Sequence, residues 1–155
     1  MFMVGDCDYY YESDCDMFFL PGWFEKMIYT YQAFGEFGIL GGRKHNAHAD
    51  LGHQTIGGYE VIWQNTQAGL SMFFSKEVWD KVGKFVELES DPKSMGLEDG
   101  NYCDRAIALG YRIATVTPPV VLHCGILNTF NEPTSGADDE LKQPFPEGVK
   151  YGIFD

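Results

Sequence analysis

No apolar run in this 155-residue chain approaches the ~20 residues that a membrane-spanning helix needs. Nor is Met1 followed by the basic segment and apolar stretch of a secretory leader. Basic residues are scarce: 11 Lys and Arg stand against 23 Asp and Glu, a formal net charge of −12. Affinity for DNA, RNA and anionic lipid comes mostly from Lys and Arg that neutralise phosphates, so nucleic acid is not an expected partner. An anionic ligand would need a metal ion or a local cationic pocket. The cysteines at 7, 15, 103 and 124 form no Cys-x-x-Cys pair and no zinc-ribbon spacing, which speaks against a structural zinc site. They read as free thiols of a reducing compartment, and with no leader the expected location is cytoplasmic.

What is present suits one domain with a real core: 45% of residues are hydrophobic and 15% aromatic. Eighteen glycines exceed the usual share of ~7% and imply many tight turns and close backbone approaches. Residues 8–13 are aromatic-rich and suit a strand. Pro21 opens a helix in which Trp23, Phe24, Met27, Ile28, Tyr31 and Phe34 recur at helical spacing until Gly35 closes it. A short buried strand over 38–42 leads into a polar loop, 43–58, that carries His45, His48 and His53. Strands are expected over 59–63 and 70–74. Ser75 caps a helix with Val78, Trp79 and Val82 inward, and Gly83 ends it. After a loop over 86–97, Tyr102, Cys103, Ala106 and Ile107 form the apolar face of a helix that stops at Gly110. Strands over 111–116 and 120–123 flank a rigid Pro118-Pro119 bend. Beyond Asn131 the Pro, Gly, Asp and Glu content predicts an irregular tail.

Two acidic clusters stand where one element turns into another: Asp14-Cys15-Asp16 at a strand end and Glu98-Asp99 at a helix start. Such clusters can hold a cation and a base, an arrangement suited to a phosphorylated substrate. Each also has a plainer reading. Carboxylates at a helix start satisfy free N–H groups and the dipole, and acids at a strand end can simply be solvated. Asp6 and Asp8 read as surface acids, and neither acidic run matches an EF-hand loop. His123, after two aliphatic residues, is either a core histidine or a ligand. The irregular spacing of His45, His48 and His53 argues against zinc. Arg105 reads as structural, paired with a nearby acid.

Taken in order, these segments resemble GT-A fold glycosyltransferases, most closely family 2. Asp-x-Asp followed by Phe18-Phe19-Leu20-Pro21-Gly22-Trp23-Phe24-Glu25-Lys26-Met27 is similar to their metal motif and its following helix. Residues 68–85, closing in Gly83-Lys84-Phe85, resemble their central strand and helix. Glu98-Asp99 with Arg105 and Gly110-Tyr111 resembles their Glu-Asp motif, and Val121-Leu122-His123 their late histidine. The resemblance implies an α/β fold, a partial GT-A mixed sheet flanked by helices. It also implies transfer of a sugar from a nucleotide-sugar donor to a glycan, lipid or protein hydroxyl. Asp14, Asp16 and His123 would hold Mn2+ or Mg2+, because hard oxygen ligands suit these ions and side chains two apart in an extended segment share a side. Asp99 would be the general base, with inversion at the anomeric carbon, and Glu98 would orient it or the acceptor. Gly41, Gly42, Trp63, Ala68 and Gly69 would line the donor and acceptor groove, Trp63 by stacking on a sugar.

At roughly 30 residues per βαβ unit, the two nucleotide-holding units of that family do not fit ahead of Asp14. Residues 1–130 are therefore expected to form an incomplete GT-A type catalytic domain, with 131–155 as tail. An exposed sheet edge that favours self-association would follow. The alternatives are a carbohydrate-binding or interaction remnant of such an enzyme, and a galactosyl- or nucleotidyltransferase of similar fold.

Overall fold

The computed structural model describes residues 7–14, 17–45, 48–86 and 97–123. The expected tail and most of the 86–97 loop lie outside these residues, as does Asp16. A mixed six-stranded sheet, flanked by helices, organises the rest. In chain order the elements are β1 (Tyr9–Ser13), β2 (Met17–Phe19), α1 (Trp23–Phe34), β3 (Phe37–Gly41), β4 (His53–Ile56), β5 (Tyr59–Gln64), β6 (Ser71–Ser75), α2 (Lys76–Val82), α3 (Leu97–Ala108), β7 (Arg112–Thr117) and β8 (Val121–His123).

The sheet order is β1-β6-β3-β7-β5-β4, and β2 with β8 forms a separate ribbon. β3 and β7 run parallel, whereas β6 is antiparallel to both β1 and β3. The carboxyl ends of β1, β3 and β7 therefore face the same way. In open α/β sheets that end is where ligands bind.

Period-two alternation divides the sheet's side chains between two apolar layers. Leu40, Phe73, Ala114 and Val116 pack with Met27 and Tyr31 of α1. Ile39, Met72, Phe74 and Ile113 pack with Val78 and Val82 of α2 and with Tyr102, Cys103 and Ala106 of α3. Burial on both faces explains why β3 and β6 read as unbroken apolar runs.

Three expectations need correction. The polar loop over 43–58 contains β4, which pairs with β5 through a Gly57-Gly58 turn with φ of +57° and +83°. Consecutive positive φ values are what a two-residue hairpin demands, and glycine adopts them without strain. β4 escapes the apolar pattern because it is an edge strand whose first three residues are exposed. Ile107 does not complete the apolar face of α3; it is 42% exposed. Arg105 is structural but has no acid partner among the described residues. Its guanidinium donates to the carbonyls of Val82 and Lys84, and Nε donates to Asn101 Oδ1. It thereby ties the end of α2 to α3. β2 was also illegible in the sequence, since it spans three half-buried residues with no alternation to read, whereas its partner β8 is the strand expected over 120–123.

Candidate functional site at the carboxyl edge of the sheet

The acids at the start of the chain and those near residue 100 meet at this edge. Asp14 follows β1 directly, and Glu12 precedes it by two residues, so the two point to the same side of the extended segment. Asp99 lies in the first turn of α3, where its Oδ2 accepts a hydrogen bond from the Gly69 N–H at 3.0 Å. Gly69 in turn sits just ahead of β6. Asp99 Oδ1 accepts from Gly100 N–H at 2.6 Å, so the carboxylate is held from both sides. Glu98 beside it is exposed.

Glu12 reports how closely these groups gather. Burial is the main force that pushes its carboxyl up to about 7, followed by the negative charges of Asp14, Asp99 and Glu98. Its Oε2 is buried and has no hydrogen-bond partner among the described residues. The folded-state value lies above the unfolded one, so this group's contribution to stability is full below about 4.5 and is lost as pH rises through about 7. Glu12→Gln should therefore stabilise the metal-free protein at pH 8 by about 1–2 kcal/mol, after allowing for water at its exposed side. At pH 4 the gain should vanish; urea melts at both pH values check it, and an equal shift at both would refute the assignment.

His123 reaches the site through the ribbon, in which it pairs with Met17, just past the Asp-x-Asp motif. The ribbon is fastened across the sheet's end by Val120 N–H to Gly42 O at 2.8 Å and Leu20 N–H to Val120 O at 2.9 Å. The segment leaving β3 brings His45 and His48, whose ring centroids lie 5.1 Å apart. Burial lowers the pKa of both. Arg43 and His123 lower that of His45 further, His45 does the same to His48, and Asp99 opposes the shift in each. These directions place His45, His48, His123 and Asp99 in one electrostatic neighbourhood. His53 stands apart on β4, bridging Asp50 and Glu60 at 3.0 and 2.8 Å.

Gly41 and Gly42 serve the floor of the site. A Cβ on Gly41 would lie 2.2 Å from Gln67 Oε1, so only glycine lets that amide pass. Gly42 N–H donates to Ser71 Oγ at 2.8 Å, and Ser71 Oγ also bonds the Tyr11 hydroxyl at 2.6 Å. Gln67 Nε2 donates to Arg43 O at 3.1 Å and weakly to Ala68 O at 3.4 Å. Thr115 Oγ1 lies 2.6 Å from Gln64 Oε1 and 2.8 Å from Gln67 Oε1. Its single proton serves only one of them. With the Gln64 amide turned over, Thr115 accepts from Gln64 and donates to Gln67, which also satisfies the otherwise partnerless Gln64 Nε2.

Trp63 does not join this group. It is 8% exposed, packed among core residues. Its ring lies beside Phe34 and Phe37 with the Arg112 guanidinium 3.5 Å from its centroid. Those neighbours occupy the faces a sugar would need. Its register partner is Ala114, two residues into β7, well back from the carboxyl edge.

Sequence reasoning passed over Glu12, Arg43, Gln67 and Ser71. A signal existed for Glu12, since Tyr10, Glu12 and Asp14 alternate with Tyr9 and Tyr11 along one strand. Nothing local marks Gln67, whose role depends on Gly41 and Thr115 from distant parts of the chain.

No protein-family model and no curated protein matches this chain. Among the described residues no helix is long and apolar enough to cross a membrane. Cys7 and Cys103 are free thiols.

Proposed function

We propose that the chain is a GT-A type domain, similar to family 2 glycosyltransferases, that moves a sugar from a nucleotide-sugar donor to an acceptor hydroxyl. One observation carries this reading: at the carboxyl edge of β1, β3 and β7, the charges of Asp14, Asp99 and Glu98, distant in sequence, all bear on Glu12, and those of His123 and Asp99 both bear on His45. Asp99 is the base. Gly69 N–H fixes its orientation, and each carboxylate oxygen keeps a second lone pair to take the acceptor's proton. Glu98, exposed next to it, orients the acceptor. With one base and no covalent nucleophile assigned, attack inverts the anomeric carbon.

The residues present fit a divalent cation. Carboxylate and imidazole donors are of the right chemistry for Mn2+ or Mg2+, and the buried, partnerless Glu12 Oε2 among like charges marks a surplus of negative potential. Among the described residues no three His, Cys, Asp or Glu side chains form a ready ligand group, and Asp16 lies outside them. Asp14, Asp16 and His123 are the residues that would hold the ion. When bound, it offsets the charge that develops on a departing diphosphate.

Isothermal titration with UDP and GDP, with and without Mn2+, tests the reading. Nucleotide binding that requires the metal, and that weakens at least tenfold in Asp14→Asn, is the expected result. Glycan binding without any metal-dependent nucleotide binding would overturn it in favour of a carbohydrate-binding remnant.

A further inference from the structure

We propose that Asp50, His53 and Glu60 form a pH-operated clasp that fastens β4, the outermost strand of the sheet, to β5 and loosens as the imidazole gives up its proton. The clasp does not depend on the transferase reading. His53 Nδ1 lies 2.8 Å from Glu60 Oε1 and Nε2 lies 3.0 Å from Asp50 Oδ2, so both ring nitrogens face carboxylate oxygens. An ionised carboxylate only accepts hydrogen bonds, and a neutral imidazole has a single N–H to donate. Both contacts are hydrogen bonds only in the imidazolium. Whichever tautomer remains after deprotonation, one ring lone pair is left facing a carboxylate oxygen, and that contact turns repulsive.

The three side chains come from the places a clasp needs. Asp50 stands ahead of β4 and is itself fixed, because its Oδ1 accepts from Gly52 N–H at 3.0 Å. In the β4–β5 register Thr55 faces Glu60 and His53 faces Ile62, so His53 and Glu60 share one face of the hairpin on a diagonal that long side chains span. The opposite face is tied by Trp63 Nε1–H to Gln54 Oε1 at 3.1 Å, a bond between groups that do not titrate near neutrality. The hydrogen bonds to Glu60 and then Asp50 raise the pKa of His53 above its ordinary 6.5, while Gly52 N–H and then His53 lower that of Asp50. Of the other charges nearby, Lys44 acts on Asp50, and Lys26 of α1 interacts with Glu60. The folded-state value of His53 exceeds the unfolded one, so the clasp contributes fully below about 6.5 and is lost as pH rises through the raised value. β4 has a neighbouring strand on one side only. Its end can loosen while the rest of the sheet holds.

The test follows the His53 ring nitrogens by NMR in the full chain, from about pH 5 to pH 9. In parallel it follows hydrogen exchange of Leu51 N–H, which donates to Trp63 O at 2.9 Å just ahead of β4. Two protonated ring nitrogens at low pH and a midpoint above 6.5 are expected, and the midpoint should drop in Asp50→Asn and in Glu60→Gln. Protection of Leu51, corrected for base-catalysed intrinsic exchange, should fall about threefold or more across that midpoint, and the fall should vanish in His53→Gln. All three clasp residues are exposed, so the variants are expected to keep the fold. Glu12 titrates over the same range, but on β1 at the opposite edge of the sheet. A fall that persists in His53→Gln would therefore assign the response elsewhere and overturn the clasp. A midpoint at or below 6.5, one that neither carboxylate variant moves, or protection that stays constant across it would overturn the clasp as well.

Discussion

On the proposed transferase reading, Asp99→Asn is expected to lower sugar transfer by about 10²–10⁴-fold while leaving the fold in place. The substitution is nearly isosteric, and the Asn carbonyl still accepts from Gly69 N–H at the position where Asp99 Oδ2 now sits. What is lost is the second acceptor toward Gly100 N–H, a contact within the first turn that helix-terminal water replaces at a cost of about 1 kcal/mol or less. The amide cannot take up a proton at neutral pH, so on that reading the acceptor hydroxyl would attack without its base. Binding of nucleotide and metal should be unchanged, because neither is assigned to Asp99. Single-turnover rates for Asp99→Asn, beside titration of the same preparation with UDP and Mn2+, make the distinction. Full rate in the variant would remove Asp99 from the mechanism; loss of nucleotide binding would show that the change acts on the architecture.

The strong elements were legible because local pattern and tertiary role agree. α1 shows helical periodicity between Pro21 and Gly35, α2 has its Ser75 cap, whose Oγ accepts from Val78 N–H at 3.3 Å, and β3 and β6 are apolar on both faces. The positions of Asp14 and Asp99 in the fold followed in a similar way: Asp14 comes directly after β1 and Asp99 lies in the first turn of α3, as the element boundaries require. What the sequence concealed depends on pairing at a distance. β4 is polar and exists because β5 lies beside it, and β2 exists because β8 does. Trp63 looked free to stack on a sugar because an aromatic near a loop carries no mark of burial. The Arg112 guanidinium that covers it comes from 49 positions further on, at the start of β7. The crowding of Glu12 likewise needs α3 to be docked before it can be seen.

Gly41→Ala should be the most damaging single-methyl change near the site. The new Cβ would fall 2.2 Å from Oε1, 2.4 Å from Cδ and 2.7 Å from Nε2 of Gln67. That amide has nowhere to yield: Gln67 is fully buried, its head group engages Thr115 Oγ1 and Arg43 O, and its backbone N–H donates to Cys103 Sγ at 3.2 Å. Either the amide gives up its hydrogen bonds inside the core or β3 parts from the 64–70 segment. Overpacking and a lost buried bond each cost about 1–3 kcal/mol, so a loss of about 2–4 kcal/mol is expected, a drop of roughly 5–12 °C in Tm. The effect should carry into the site, because Gln67 lies two residues from the N–H that holds Asp99 and its amide holds the Arg43 carbonyl. Truncating Gln67 to Ala opens the space the methyl group needs. Gly41→Ala combined with Gln67→Ala should therefore cost at least about 1 kcal/mol less than the two single changes added together, since residues in direct contact couple. Strict additivity in thermal or urea melts would mean that the two side chains do not compete for that space, and the floor assigned to the site would have to be redrawn.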